Sequence, residues 1–345
     1  MLYLVVKEII KVFMAIFKSK LMLTVILVTI FAVIGFLLIH SAKSPEQSIK
    51  NQSAPIIIGF AQLGSESAWR NANTDSVKSA STDAGVNLIF KNADGSQKVQ
   101  KQIIQDFIIQ QVDVIVFPPL VADGWDDILL AAKEAGIPVI VSDRRIEVKR
   151  PDLYSVFVGA DFVSEGAKAA NWLVTNTSPN KKLNIVELEG LAGSSPAVDR
   201  AKGFRQVIAG HPNINFVDSV SGDFIKVRGK LEMKKLLKKH GRNINVVFAH
   251  NDDMALGAIE AIEEYGLKPG KDILIISVDG ERAALQAIKA GKANVSVECT
   301  PLLGPVLVQT AQRLLKGEKL PKQIIMEEKT FTIKNVDKEL PLRTY

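Results

Sequence analysis

From residue 55 onward the chain alternates apolar runs of strand length with stretches of helical period. Residues 56–61 (IIIGFA) read as a first strand, and 67–84 as a helix stopped by Gly85. A strand over 87–90, a helix over 97–111 and a strand over 113–117 (DVIVF) follow, the last ended by Pro118-Pro119. A helix at 125–135, closed by Gly136, leads into 138–142 (PVIVS). The alternation continues with a strand at 154–158, a helix around 164–174 and a strand at 183–188 (LNIVEL). Further strands are expected at 245–249 (NVVFA), 273–278 (ILIISV) and 294–297, with a helix at 254–265 after the first of them. Runs that are apolar at every position, each followed by a helix, imply strands covered on both faces, hence parallel sheets with crossover helices. So many units exceed one ordinary open sheet, and two doubly wound α/β lobes are the expected architecture. A (β/α)₈ barrel shares the alternation and is the structural alternative. No GxGxxG follows the first strand and no GxxxxGK[ST] occurs, so the dinucleotide and P-loop fingerprints are missing.

The N-terminus departs from this pattern. Residues 21–39 run without a charge, about 28 Å as a helix and enough to cross the hydrocarbon core of a bilayer. Lys18 and Lys20 precede the run, as the positive-inside bias requires. Residues 1–44 therefore read as a signal peptide, cut near Ser41 and Ala42, or as an anchor that keeps the protein tethered to the inner membrane. A start at Met14 places Met-Ala-Ile-Phe-Lys-Ser-Lys before the run, the more usual signal layout. The only cysteine is Cys299, so no intramolecular disulfide and no lipid-modified N-terminal cysteine is expected. The remainder of the chain is expected outside the cytoplasm.

Charge narrows the partners. Charged residues make up 23% of the 345 and apolar ones 47%, values of a globular protein with a core. The net charge is +6, of which residues 1–44 hold +4 through Lys7, Lys11, Lys18, Lys20 and Lys43 against Glu8. The near-neutral remainder is no nucleic-acid surface.

In parallel α/β sheets ligands meet the carboxyl ends of the strands, and there this chain is polar. After the first strand come Glu66, Ser67, Ala68, Trp69 and Arg70. Other strand ends bring Asp143-Arg144-Arg145, then Asp199-Arg200, then His250-Asn251-Asp252-Asp253, Asp279-Gly280 and Glu298. Sugar hydroxyls donate and accept, so carboxylate, amide and guanidinium groups pair with them in fork geometry. The C–H face of a sugar packs on an aromatic plate, for which Trp69 is the candidate. A hydrogen bond to a charged group is worth about 1.5–3 kcal/mol, so a few suffice for micromolar binding near −8 kcal/mol.

Plainer roles compete. Asn251, Asp252 and Asp253 open a helix and can serve only as caps. Asp143 and Arg144 can form a surface ion pair. Trp125 fits core packing or a cleft wall, and Trp172 the core. His211 reads as solvated and His250 as a satisfied strand-end residue, with no His or Cys partner at metal spacing. Cys299 reads as a small buried apolar side chain. No metal and no cofactor is expected.

Over residues 55 to about 338 the chain resembles the ribose/galactose cluster of type I periplasmic sugar-binding proteins. The segments that carry the resemblance are GFAQLGSESAWR (59–70), IVSDR (140–144), AVDRAKGF (197–204), SGDF (221–224), AHNDDMALGAI (249–259), SVDG (277–280) and SVECTP (296–301). The GSESAWR loop is narrower than the other motifs and resembles the galactofuranose-binding members of ABC sugar transporters. Ala68 stands where that family usually has Gly, which restricts the loop's backbone.

The resemblance implies the periplasmic-binding-protein-like I fold, two lobes and a hinge. One lobe would be 55–158 plus 299–325, the other 159–298 plus 326–340, with crossings near Gly159–Ala160, Glu298 and 325–327. It implies sugar-binding roles for Glu66, Ser67, Ala68, Trp69, Arg70, Asp143, Arg144, Arg200, Asn251, Asp279 and Glu298, the last near the hinge. It also implies hinge closure over the sugar, a monomeric periplasmic protein and a membrane ABC transporter permease as partner. A sugar chemoreceptor could use the same lobes. A transcriptional regulator on this fold needs a helix-turn-helix where this chain has an apolar span. A glycoside-processing enzyme needs a paired carboxylate acid and base, which neighbouring arginines oppose by keeping the carboxylates ionised.

Overall fold

The computed structural model describes residues 3–15, 18, 24 and 55–345. The chain divides into two compact units, 1–54 and 55–345. In the first, residues 3–15 are helical with exposed side chains, and Lys11 Nζ lies 3.1 Å from Glu8 Oε1. The apolar run 21–39 lies outside the described residues except for Thr24; among the described residues no helix is long and apolar enough to cross a membrane.

The second unit carries the alternation expected from the sequence. It opens with β1 (Ile57–Gln62), α1 (Ala68–Asp83), β2 (Asn87–Asn92), α2 (Gln97–Ile109), β3 (Val114–Phe117), α3 (Asp126–Glu134), β4 (Val139–Asp143) and β5 (Val156–Gly159). Next come α4 (Phe162–Asn176), β6 (Leu183–Glu189), α5 (Ser195–Ile208), β7 (Ile214–Ser221), α6 (Lys226–His240), β8 (Val246–Ala249) and α7 (Asp252–Glu264). It ends with β9 (Leu274–Asp279), α8 (Arg282–Lys289), β10 (Val295–Glu298), α9 (Gly304–Leu315), β11 (Gln323–Ile325), β12 (Thr330–Thr332) and α10 (Val336–Glu339).

The strands form two open sheets, ordered β11-β5-β4-β3-β1-β2 and β12-β10-β9-β8-β6-β7. Open edges rule out the barrel. Both faces of each sheet are covered, as continuous apolar runs require. In β3, Ile115 and Phe117 enter one core while Val114 and Val116 enter the opposite one. In β8, Val246 and Phe248 divide from Val247 and Ala249 in the same way.

The chain passes between sheets after β5, after β10 and between β11 and β12. The last passage explains the one departure from parallel pairing, β12 against β10. The chain leaves β11 at its carboxyl end, where the lobes meet, and enters the other sheet from that side. It can then only run opposite to β10. With residues 326–329 alone between the strands, there is no room for the crossover that a parallel strand needs.

Candidate functional site

In both sheets the strand order reverses around the first strand of the lobe, β1 between β2 and β3, and β6 between β7 and β8. Such a switch point leaves a crevice at the carboxyl ends, and the two crevices face each other.

In the first lobe, Ser67 caps α1, its Oγ accepting from the Arg70 amide at 3.1 Å. That cap fixes Arg70 in the first helical turn. Its guanidinium donates from Nη2 to Asp143 Oδ2 at 2.6 Å and from Nε to Glu66 Oε1 at 3.2 Å. Asp143 ends β4 at φ 58°, a left-handed conformation that costs a non-glycine residue about 1–3 kcal/mol. Arg144 donates from Nη1 to the Leu120 carbonyl at 2.9 Å and reaches Glu66 Oε1 from Nη2 at 3.4 Å. The surface ion pair between Asp143 and Arg144 does not form: both are buried, and the partner of Asp143 is Arg70.

The second lobe repeats the device. Asp279 ends β9, which holds the same place in its sheet as β4, and has φ 130°. Arg200 stands on α5, the helix after β6, as Arg70 stands on the helix after β1. Its Nη2 is 3.6 Å from Asp279 Oδ1, its Nε donates to Glu165 Oε2 at 2.6 Å and its Nη1 to the His250 carbonyl at 2.5 Å.

The Asn251-Asp252-Asp253 run splits three ways. Asn251 caps α7, accepting from the Met254 amide at 3.0 Å and donating to the Phe224 carbonyl at 3.1 Å. Each bond leaves a second lone pair and a second N–H, so the amide can cap and still serve the cavity. Asp252 is structural, held by Ser277, Ser296 and the Glu281 amide; burial pushes it up to about 6. Asp253 Oδ2 crosses to the other lobe and accepts from the Ala68 amide at 2.9 Å.

Glu66, Ser67, Trp69, Arg70, Asp143, Arg144, Arg200, Asn251 and Asp279 line one cavity of about 310 Å³. Trp69 forms part of the wall, with its Nε1 donating to the Cys299 carbonyl at 2.5 Å and the Arg70 guanidinium 4.7 Å from its ring. Ala68 and Glu298 stand outside the cavity lining. Ala68 is exposed and its amide is given to Asp253. Glu298 is taken by Arg343 Nη1 at 2.7 Å and by the Lys329 amide at 2.9 Å.

Sequence reasoning did not nominate Pro196, Phe224 and Cys299, which also line the cavity. Phe224 had a signal: it closes the SGDF segment, and Asp223 and Phe224 both adopt positive φ. The Phe224 ring lies against Gly190, where a Cβ would come within 1.9 Å of it, and the Arg144 guanidinium sits 5.3 Å over its face. Trp125 proves to be core, fully buried against Phe117. Trp172 is half-buried beside the second lobe's core. His250 is a satisfied strand-end histidine, 3.0 Å from Glu187 Oε1.

The charges are balanced in shared networks, Arg70 and Arg144 with Glu66 and Asp143, and Arg200 with Glu165 and Asp279. Burial alone would raise Glu66, but Arg70 and Arg144 hold it below the usual carboxylate range. Burial and the charge of Arg70 bring Arg144 down to about 10. Burial raises Asp279 in spite of Arg200. Three polar atoms in this set, Glu66 Oε2, Arg70 Nη1 and Arg144 Nε, are buried without a hydrogen-bond partner among the described residues. Unpaired buried atoms of that kind are costly. One acceptor and two donors beside a small cavity are what a hydroxyl-bearing ligand satisfies.

Against the inner end of the cavity, Glu165, Cys299 and Glu328 offer ligand atoms within 4.8 Å of one another. Arg200, bonded to Glu165, already supplies a cation there. Burial and the Glu165 charge push Glu328 well up.

Residues 58–319 match the family model of the periplasmic binding protein domain. The chain belongs to the periplasmic binding protein family. The galactofuranose-binding protein YtfQ of Escherichia coli (strain K12) is 43% identical over 307 residues, covering 88% of this chain and 96% of that protein. A Mycobacterium smegmatis protein solved in complex with β-D-fucofuranose is 46% identical with a TM-score of 0.81, covering 83% and 94% of the two chains. The binding component of the arabinose ABC transporter from Shewanella sp. ANA-3, bound to α- and β-L-arabinofuranose, is 41% identical with a TM-score of 0.81, covering 84% and 95%. These relatives are sugar-binding proteins, one of them named as a transporter component. Membership in the family places the folded part of this chain outside the cytoplasm.

Proposed function

We propose that this chain captures a monosaccharide in its furanose form, galactofuranose first among candidates, and delivers it to the permease of an ABC transporter. The observation that carries the reading is the set of buried, charge-balanced groups from both lobes on one small cavity, with Glu66 Oε2, Arg70 Nη1 and Arg144 Nε free for hydroxyls. The relatives bound to fucofuranose and arabinofuranose support the ring form. Glu66, Arg70, Asp143, Arg144, Arg200, Asn251 and Asp279 would hold the hydroxyls, Ser67 would order the loop and Trp69 would stack on the ring. The lobes, 55–158 with 299–325 and 159–298 with 326–340, would close as a monomer by hinge motion. Residues 21–39 would serve export, cut or retained as an anchor, which the mass of the mature protein distinguishes.

Titration calorimetry of residues 45–345 tests the binding. One-to-one heat with galactofuranose is expected, and Trp69 should report it in fluorescence. Silence with galactofuranose, fucofuranose and arabinofuranose alike would sink the reading.

A further inference from the structure

The first amides of a helix have no acceptor within it. At the start of α1, Ser67 answers the Arg70 amide at 3.1 Å, and the two amides before it turn to the opposite lobe. The Ala68 amide donates to Asp253 Oδ2 at 2.9 Å, and the Trp69 amide faces the Glu281 carboxyl. Two acids of the second lobe thus complete a helix start that belongs to the first. They are not equivalent. Asp253 is half-buried, whereas Glu281 is 3% exposed and its Oε1 has no hydrogen-bond partner among the described residues. Its charged neighbours are acids: Asp252, whose Oδ2 accepts from the Glu281 amide at 2.7 Å, Asp253 beside it, and Asp279 at the end of β9. The cations of these elements are engaged with other groups, Arg70 with Asp143, Arg200 with Glu165, Lys226 with Glu260 and Arg282 with the Leu340 and Arg343 carbonyls.

We propose that Glu281 is a proton-dependent clasp: closing the lobes over a sugar seats its carboxyl against the first turn of α1 and takes up one proton from solvent. The inference rests on capture of a sugar by lobe closure. Asp252, Asp253 and Asp279 travel with Glu281 in one lobe, while the first turn of α1 arrives only when the lobes meet. With the lobes apart, water screens Glu281 from the three aspartates. With the lobes together that water is gone, the repulsion strengthens, and a proton on Oε1 removes it. Burial and the charges of Asp252 and Asp253 accordingly raise Glu281 from its ordinary 4.5 to about 9 where the lobes touch. A carboxyl raised on closing makes the closed form the better proton binder. Sugar affinity is then complete below the open-form value and declines as pH climbs towards the closed-form one.

Calorimetry of the full chain with galactofuranose, fucofuranose and arabinofuranose tests this. Titrations in buffers of differing ionisation enthalpy count the protons taken up with each sugar. The wild type is expected to take up about one proton at neutral pH, its affinity falling by up to about tenfold per pH unit between about pH 6 and 8. Glu281→Gln keeps the shape and cannot titrate. Its uptake should vanish, its affinity lying within about threefold of the wild type near about pH 5 and exceeding it by at least about tenfold near about pH 8. Glu281→Ala also removes the titrating group and should lose the uptake in the same way. Sugar binding by the wild type with no proton taken up overturns the clasp and leaves the sugar reading standing. Uptake that persists in either variant places the proton on another group, and the proposal falls. Silence of the wild type with all three sugars removes the sugar reading and this inference with it.

Discussion

A buried guanidinium is tolerated only when its charge is answered, because desolvation of an unpaired ion costs several kcal/mol. Arg70 has two answers, Asp143 at 2.6 Å and Glu66 at 3.2 Å, and only Glu66 is shared with Arg144. Asp143 therefore lines the cavity and also answers the charge of Arg70, its hydrogen-bond partner. Asp143→Asn keeps the shape and removes the charge. Furanose affinity should fall by about 1.5–3 kcal/mol, roughly ten- to a hundredfold, in calorimetry; an unchanged affinity would remove Asp143 from the binding machinery. The residue types at the strand ends were legible in the sequence because a parallel sheet delivers its carboxyl ends to one side. Their pairing was not, since Arg70 and Asp143 stand 73 positions apart and only the β1–β3–β4 order brings them together. Glu298 misled for the same reason: its strand end is right, but Arg343 from the C-terminus claims it.

Elements were legible where burial is two-sided. Strands such as β3 and β8 are apolar at every position, so no register error could hide them. β7 was not foreseen: INFVDSVS alternates, and it lies at a sheet edge with most positions partly exposed. β11 and β12 span three residues each, too short for any periodicity, and exist because the chain must tie one sheet to the other. Helix starts carry a second meaning that capping patterns conceal. The first turn of α1 has a free amide at Ala68, and the first turn of α7 in the opposite lobe supplies Asp253 to it. A carboxylate at a helix N-terminus is favoured by the unpaired N–H groups and the dipole, so this contact draws the lobes together without touching the cavity. Asp253→Ala should weaken furanose binding by about 1 kcal/mol, roughly fivefold, through faster dissociation with the association rate unchanged. Stopped-flow fluorescence separates the two rates, and an effect confined to association would contradict a role in holding the lobes together.

At the scale of the whole molecule, the two lobes solve one problem twice, each setting a strand-end aspartate in a strained conformation against an arginine on the helix that follows β1 or β6. The two solutions meet at the crossings between sheets. Glu165 follows the first crossing, Cys299 begins the second and Glu328 lies in the third, and the three converge beside Arg200. Glu165 Oε1 and Glu328 Oε1 are both sealed from solvent without a partner among the described residues, while Arg200 answers only the other oxygen of Glu165. One proton held between the carboxyls satisfies both atoms. Burial and the neighbouring Glu165 charge raise Glu328 from its ordinary 4.5 to about 10. A carboxyl raised on folding makes the folded state the better proton binder, so its contribution is complete below the unfolded value and is lost as pH climbs towards the folded one. Stability should therefore decline between about pH 4.5 and 10 by this group's share. Glu328→Gln supplies the amide hydrogen at every pH, and its melting temperature should vary less between acid and alkaline buffer than that of the wild type. Melting curves at matched ionic strength measure this directly. Parallel pH profiles for the two proteins would mean that the hinge carboxyls share no proton, and that the three crossings are held by packing alone.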